Sequence, residues 1–148
     1  MKDRLAFIAA AAIMVSGCAA CSSAQQPAQQ EPGALPPGTA QLTIDGKDLP
    51  ITRAVQCAPA EQYLTTITTG DDASGTTLMV SNAGKLAVEF VRIRNVNGFT
   101  GDYNRGLADS EATVALDKNT YQIAGAAVGY GTKSPQPTMA PFTIKVSC

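Results

Sequence analysis

At 148 residues the chain has room for one domain and one modest core. Eleven basic against twelve acidic side chains, a formal charge of −1, exclude the strongly basic balance of a nucleic-acid binder. The absence of His excludes Ser-His-Asp and Cys-His catalysis and leaves no imidazole for a typical catalytic zinc site.

The first element is a targeting segment. Lys2 and Arg4 form a short basic start, and Leu5 to Val15 is an unbroken apolar run. As a helix that run spans roughly 16 Å, about half a bilayer core, so it suits an export signal better than a transmembrane span. Val15-Ser16-Gly17-Cys18 follows. This resembles the lipobox of bacterial lipoproteins. The resemblance implies diacylglycerol on the Cys18 thiol, cleavage between Gly17 and Cys18, and a chain fixed to the membrane through covalent lipid. Two or three acyl chains suffice for stable anchoring, since each buried methylene contributes about 0.8 kcal/mol. An ordinary signal peptide beside an unmodified cysteine is the blander reading. Loss of residues 1–17 leaves nine basic and eleven acidic side chains, a formal charge of −2.

Residues 18–40 are rich in Gln, Pro, Ala and Gly and hold almost nothing to bury, the composition of a flexible tether that spaces a domain from the lipid surface. From Gln41 to Cys148 the pattern changes to short alternating runs of Val, Ile and Thr between turn residues. Leu42 and Ile44 share a face before Asp45-Gly46, and Ile51, Val55 and Cys57 share the next. Tyr63 to Thr69 and Thr76 to Val80 read as strands divided by Gly70-Asp71-Asp72. Leu86, Val88 and Phe90 lie in one phase, and Val91 and Ile93 in the other, which predicts a β-bulge or a change of environment within one strand. Asn97-Gly98 is a strong hairpin signal. Ala112, Val114 and Leu116 are expected to point inward, then Tyr121 to Val128 forms a strand. Past Pro135, Pro137 and Pro141, the alternation of Phe142, Ile144, Val146 and Cys148 closes the chain. About eight strands with turn signals at this spacing predict an all-β fold, an antiparallel β-sandwich or partly open barrel.

Cys57 and Cys148 each lie in phase with an apolar face, so both thiols are expected in the core, paired across a 91-residue separation in the oxidising compartment of an exported protein. Two buried free thiols are the alternative, and Cys21 is left over in the tether. The acids Asp45, Asp48, Asp71, Asp72, Asp102, Asp109 and Glu111 stand beside turn residues and read as solvated. A calcium site at Asp71-Asp72 lacks the alternating ligands of a known loop. No metal or cofactor is expected, and no glycosidase-like carboxylate pair is singled out. A run of small residues, Ala124-Gly125-Ala126-Ala127-Val128-Gly129-Tyr130-Gly131, reads either as close packing in a bent strand or as a wall for an acyl chain, with Ala124, Gly125, Ala126 and Val128 as lipid-contact candidates.

Ile44-Asp-Gly-Lys-Asp48, Asn95-Val-Asn-Gly98, Tyr121-Gln-Ile-Ala-Gly125 with Gly129, and the closing Phe142-Thr-Ile-Lys-Val-Ser-Cys148, in that order, resemble the mycobacterial 19-kilodalton lipoprotein antigen family over essentially the whole chain. The resemblance implies a membrane-anchored surface lipoprotein without catalytic activity, acylated at Cys18 and bridged between Cys57 and Cys148. It also implies an acylated N-terminus read by the host lipopeptide receptor. A Thr/Ser-rich, mannosylated tether belongs to the family's best-known member; here the tether's hydroxyls are Ser22, Ser23 and Thr39. A non-catalytic surface domain with an envelope lipid or protein partner is the leading expectation. A lipid or glycolipid carrier, with an apolar slot beside the small-residue strand, is the alternative.

Overall fold

The computed structural model describes residues 34–59, 61–107, 109 and 111–148. Among them there is no helix and there are ten strands, all paired antiparallel. In chain order these are β1 (Thr39–Ile44), β2 (Lys47–Asp48), β3 (Val55–Cys57), β4 (Leu64–Gly70) and β5 (Gly75–Ser81), then β6 (Ala87–Val96), β7 (Phe99–Asn104), β8 (Thr113–Asp117), β9 (Thr120–Tyr130) and β10 (Thr138–Ser147). The hydrogen-bonded path runs β2-β1-β10-β9-β7-β6-β5-β4-β3, and β8 joins β9 off that path. The sheet curls into a partly open barrel. One wall is β2, β1, β10, β9 and β8; the other is β7 to β3.

Turn chemistry sets the corners. Asn97 and Gly98 both have positive φ, 51° and 77°, the pair of left-handed residues that a two-residue hairpin needs. Period-two alternation then sorts the side chains. Leu42, Ile44, Ile123, Phe142, Ile144 and Val146 point in from one wall, and Ile67, Leu78, Val80, Val91 and Ile93 from the other. Each such side chain contributes roughly 1.5–3 kcal/mol on leaving water. The rings of Tyr103 and Phe142 meet edge-on across the interior, 6.4 Å apart. Thr69 and Thr76 face inward as cross-strand partners, and their hydroxyls satisfy each other at 2.8 Å.

The phase slip of β6 is a bulge. Phe90 pairs with Met79 and Val88 with Val80, so Glu89 is the extra residue. That insertion lets Val88 and Val91 both reach the core and turns Phe90 outward, where the Arg92 guanidinium lies 5.2 Å from its ring centre. The two walls meet at two seams. At one, β7 and β9 pair only over Thr100–Asp102, with Gly101 opposite Gly129. A Cβ on Gly129 would collide with the Thr100 carbonyl oxygen and the Gly101 Cα, so this approach requires bare backbone. At the other, the chain itself crosses. Thr52 bridges to Ala40 of β1, and two residues later Ala54 accepts from Gly70 of β4.

Several expectations need correction. There are ten strands rather than eight, because β2 is only two residues long and β7 is built from Phe-Thr-Gly-Asp-Tyr-Asn, a run of turn-like residues. Ile51 does not join an inward face; it is 52% exposed on the crossing segment. Leu116 is 44% exposed, because β8 has no neighbour on its outer edge to cover it. β1 begins at Thr39, two residues before the expected start, with Thr39 and Ala40 buried. β10 begins at Thr138 and runs through Pro141. The Pro141 carbonyl accepts from Asp45 N at 2.9 Å, so its nitrogen also faces the side where β1 has already turned away and no donor is needed.

Candidate functional site

Gly17, Cys18 and Cys21 lie outside the described residues. The structure does place the point where the tether joins the domain. Leu35 to Gly38 lead into β1, with Thr39 Oγ1 donating to the Pro36 carbonyl at 2.6 Å and Gly38 N donating to the Ser147 carbonyl at 2.8 Å. The strand registers then define two ends. Thr39, Ser147 and the Asp117–Thr120 turn gather at the tether end; the Asp45-Gly46 and Asn97-Gly98 turns and the Gly131–Pro137 loop gather at the distal end.

Cys57 and Cys148 are joined, with an S–S length of 2.03 Å and Cα atoms 6.0 Å apart. The bond is not in the core, however. Cys148 is exposed and Cys57 half-buried. The alternation of β10 breaks at its last residue: Val146 and Ser147 are both buried, and Cys148 steps out, its N–H donating to the Asn119 carbonyl at 2.9 Å. The disulfide therefore clasps the rim at the tether end, tying β3 of one wall to the end of β10 in the other.

The small-residue strand divides between its two faces. Gly125 points inward, and a methyl added there would lie 2.8 Å from Ala112 Cβ and 2.9 Å from Phe142 Cζ. Close packing thus occupies the place where a slot between the walls would run. Ala124, Ala126 and Val128 point outward. Val128 is 51% exposed, and its partner in β10, Met139, is 55% exposed. Tyr130, two residues along β9, is 58% exposed. Met139 escapes the sequence reading because three prolines there suggest a loop, and Tyr130 is read in the small-residue strand but not as a contact residue. The signal was present in the phase, since Met139 and Pro141 alternate with Ala140 and Phe142.

The clefts at the surface lie elsewhere. One of about 250 Å³ opens where β7 and β8 part, lined by Leu86, Val88, Tyr103, Arg105, Glu111 and Val114, and the Tyr103 hydroxyl there accepts from Ala112 N at 2.9 Å. Another lies at the distal end, with Asp45, Lys47, Lys133 and Met139 on its walls. Among the described residues no buried side-chain nitrogen or oxygen lacks a partner, so the interior aims no unsatisfied polar group at a ligand.

The charged groups are spread over the surface. Arg92 Nε donates to Asp102 and Arg105 to Glu89, each at 2.9 Å and each exposed to solvent. Asp71 folds its carboxylate back on its own turn, accepting from Ala73 N at 2.8 Å and Ser74 N at 2.9 Å. The Ser74 and Ala73 amides, in that order, hold its pKa below the ordinary aspartate value, with Arg94 a smaller cause. These contacts make an Asx turn, and no group of three or more metal-ligating side chains gathers among the described residues.

The family description "Mycobacterium 19 kDa lipoprotein antigen" matches residues 33–148. The chain is 30% identical to the Mycobacterium tuberculosis protein named LppE, over the full length of both. It is 31% identical to lipoprotein LpqH of Mycobacterium bovis over 95% of this chain and 94% of that one. Against LpqH of Mycobacterium avium the identity is 34%, over 73% of this chain and 67% of the other. The match spans every strand from β1 to β10 and both bridged cysteines, and on that evidence the chain belongs to the Mycobacterium 19 kDa lipoprotein antigen family and is a cell-envelope lipoprotein.

Proposed function

We propose that the chain is exported, cut between Gly17 and Cys18, acylated on Cys18 and held on the extracytoplasmic face of the cell membrane. There it presents a non-catalytic, antigen-like β domain from Thr39 onward on the tether of residues 18–38. The observation that carries this reading is the order Lys2 and Arg4, the Leu5–Val15 apolar run, then Val15-Ser16-Gly17-Cys18, ahead of a domain of a lipoprotein antigen family. The physical logic is direct. The apolar run engages the export machinery, the small residues before Cys18 let the backbone lie flat for cleavage, and the acyl chains replace a span. The acylated N-terminus then carries the chemistry that a host lipopeptide receptor recognises, while the domain meets envelope lipids or proteins.

Metabolic labelling with a palmitate analogue in a mycobacterial host tests it. The natural chain takes up label and its mature mass begins at Cys18; Cys18→Ala loses both label and membrane retention, and Cys21→Ala keeps them. Label retained in Cys18→Ala overturns the assignment. Receptor-reporter cells should respond to the labelled protein and ignore the Cys18→Ala form. Proteinase K, which does not need the Lys or Arg that residues 18–46 lack, should remove the domain when added to intact spheroplasts; full protection would place it on the wrong face.

A further inference from the structure

Large apolar side chains are exposed at seven described positions, and three of them, Val128, Tyr130 and Met139, share the outer face of one wall. Val128 pairs directly with Met139, and Ala126 with Pro141, so the strip continues along the β9–β10 hairpin toward the tether end. Cations stand at both ends of it. Lys47 and Lys133 border the cleft beside Met139, in company with Asp45, and Lys145 lies opposite Gln122 on the same outer face. Acids stand beside the strip as well: Asp102 is opposite Val128 and holds Arg92 at 2.9 Å, Asp48 accepts from Thr43 at 2.6 Å, and Asp117 shares the cleft of Lys145.

The tether leaves from this same wall. Gly38 N donates to Ser147 at the end of β10, and β1 pairs with β10 along its whole length. At about 3.4 Å per residue, Met139 lies roughly 27 Å along β10 from Ser147. The 20 residue steps from Cys18 to Gly38 span at most about 70 Å, well over that distance. A domain lying on this wall therefore has its tether exit at the lipid surface and its apolar strip against it, with no demand on tether length.

We infer that the outer face of β9 and β10 is a membrane-docking surface, and that the domain lies on its side on the bilayer to which it is anchored. The inference rests on the reading that the chain is lipidated at Cys18. Val128, Met139 and Pro141 enter the headgroup boundary, Tyr130 sits with its ring in the apolar layer and its hydroxyl in the wet one, and the lysines meet lipid phosphates. Three or four side chains bind lipid weakly by themselves. The anchor turns docking into an intramolecular step at an effective concentration on the order of millimolar, which makes weak contacts sufficient. The same cross-strand row turns polar beyond Val128, through Asp102, Arg92, Thr77 and Thr68, so the Val128–Asp102 pair marks the edge of the docked face and the rest of the row curves away into water.

The chain has no Trp, so Tyr130→Trp and Tyr63→Trp each create a single reporter. Tyr63, 65% exposed, stands at the tether end of the facing wall and would touch lipid only if the domain stood upright on its tether end. The acylated full chain is placed in vesicles of phosphatidylglycerol and phosphatidylcholine with brominated acyl chains. Flotation reads the anchor and quenching of indole fluorescence reads the docking. The expected result is flotation of both variants, with quenching in Tyr130→Trp and none in Tyr63→Trp. Adding Val128→Asp and Met139→Asp to Tyr130→Trp should abolish the quenching and leave flotation unchanged. Flotation of Tyr130→Trp without quenching, or with weaker quenching than in Tyr63→Trp, overturns the docking surface and leaves the anchor standing. An indole that is shielded without bromine quenching in Tyr130→Trp, in a protein that sediments as a dimer, means that a second copy covers the face, and also overturns it. Loss of flotation overturns the anchor and the docking together.

Discussion

The two walls of this barrel share one core and differ on nearly every other count. The wall of β1, β10 and β9 bears the tether, the small residues and an apolar outer strip; the wall of β4 to β7 has Thr, Arg and Asp on its outer row and the bulge at Glu89. The seams differ too. One is backbone against backbone at Gly101 and Gly129, and the other is a chain crossing locked at the rim by Cys57 and Cys148. The contrast teaches that a short sheet can close on itself by removing side chains at one seam and by covalent restraint at the other. The side chains excluded from both seams are free to give each outer face its own chemistry.

The largest expected effect comes from cutting the covalent seam. Replacing Cys57 and Cys148 together by Ser should cost about 2–5 kcal/mol, since the bond closes a long loop in the unfolded chain. A fall in melting temperature, with amide exchange quickened most in β3 and β4, checks it. An unchanged melting temperature would mean that the crossing segment alone holds the walls.

The bare seam should be nearly as sensitive. Gly129→Ala drives a methyl into the Thr100 carbonyl and should cost about 1–3 kcal/mol in denaturant unfolding. Ala126→Ser, outward on the same strand, should stay within about 0.5 kcal/mol. Equal effects at the two positions would remove the distinction between the strand's faces.

Inside the facing wall, Thr69→Val leaves the Thr76 hydroxyl buried without its partner and should cost about 1–2 kcal/mol. Changing both threonines to Val should restore most of that loss, because no polar group is then stranded.

The smallest effect is at the turn between β4 and β5. Asp71 has its pKa depressed in the fold, so its contribution is present above the unfolded pKa and fades as pH falls through the folded one. Asp71→Ala should therefore melt slightly below the natural chain at neutral pH, with the gap narrowing as the pH drops below the aspartate range. A gap that is constant with pH would show that the carboxylate's charge plays no part in the turn.

Much of the fold was legible residue by residue. The Asn97-Gly98 hairpin, a bulge in β6 and the inward alternation of Phe142, Ile144 and Val146 all stand in the structure, although Phe90, read in phase with Val88, turns outward past the bulge at Glu89. The misses have physical causes. β7 hid because Gly101 is selected for backbone approach to Gly129, a contact with no local signature. β10 hid its first four residues behind Pro141, which is tolerated only because β1 ends opposite it. Cys148 was expected in the core from its phase, yet it lies past the end of β10, where its N–H turns to the Asn119 carbonyl and the alternation no longer holds.

Local chemistry, then, determined the strand class, the turns, the tether composition and the N-terminal order that marks a lipoprotein, because each depends on neighbours within a few residues. Only the tertiary structure decided which walls meet, that the disulfide clasps a rim, and that Val128, Tyr130 and Met139 form one outward strip. Those outcomes depend on register between strands far apart in the chain, and register is settled by the packing of the whole core.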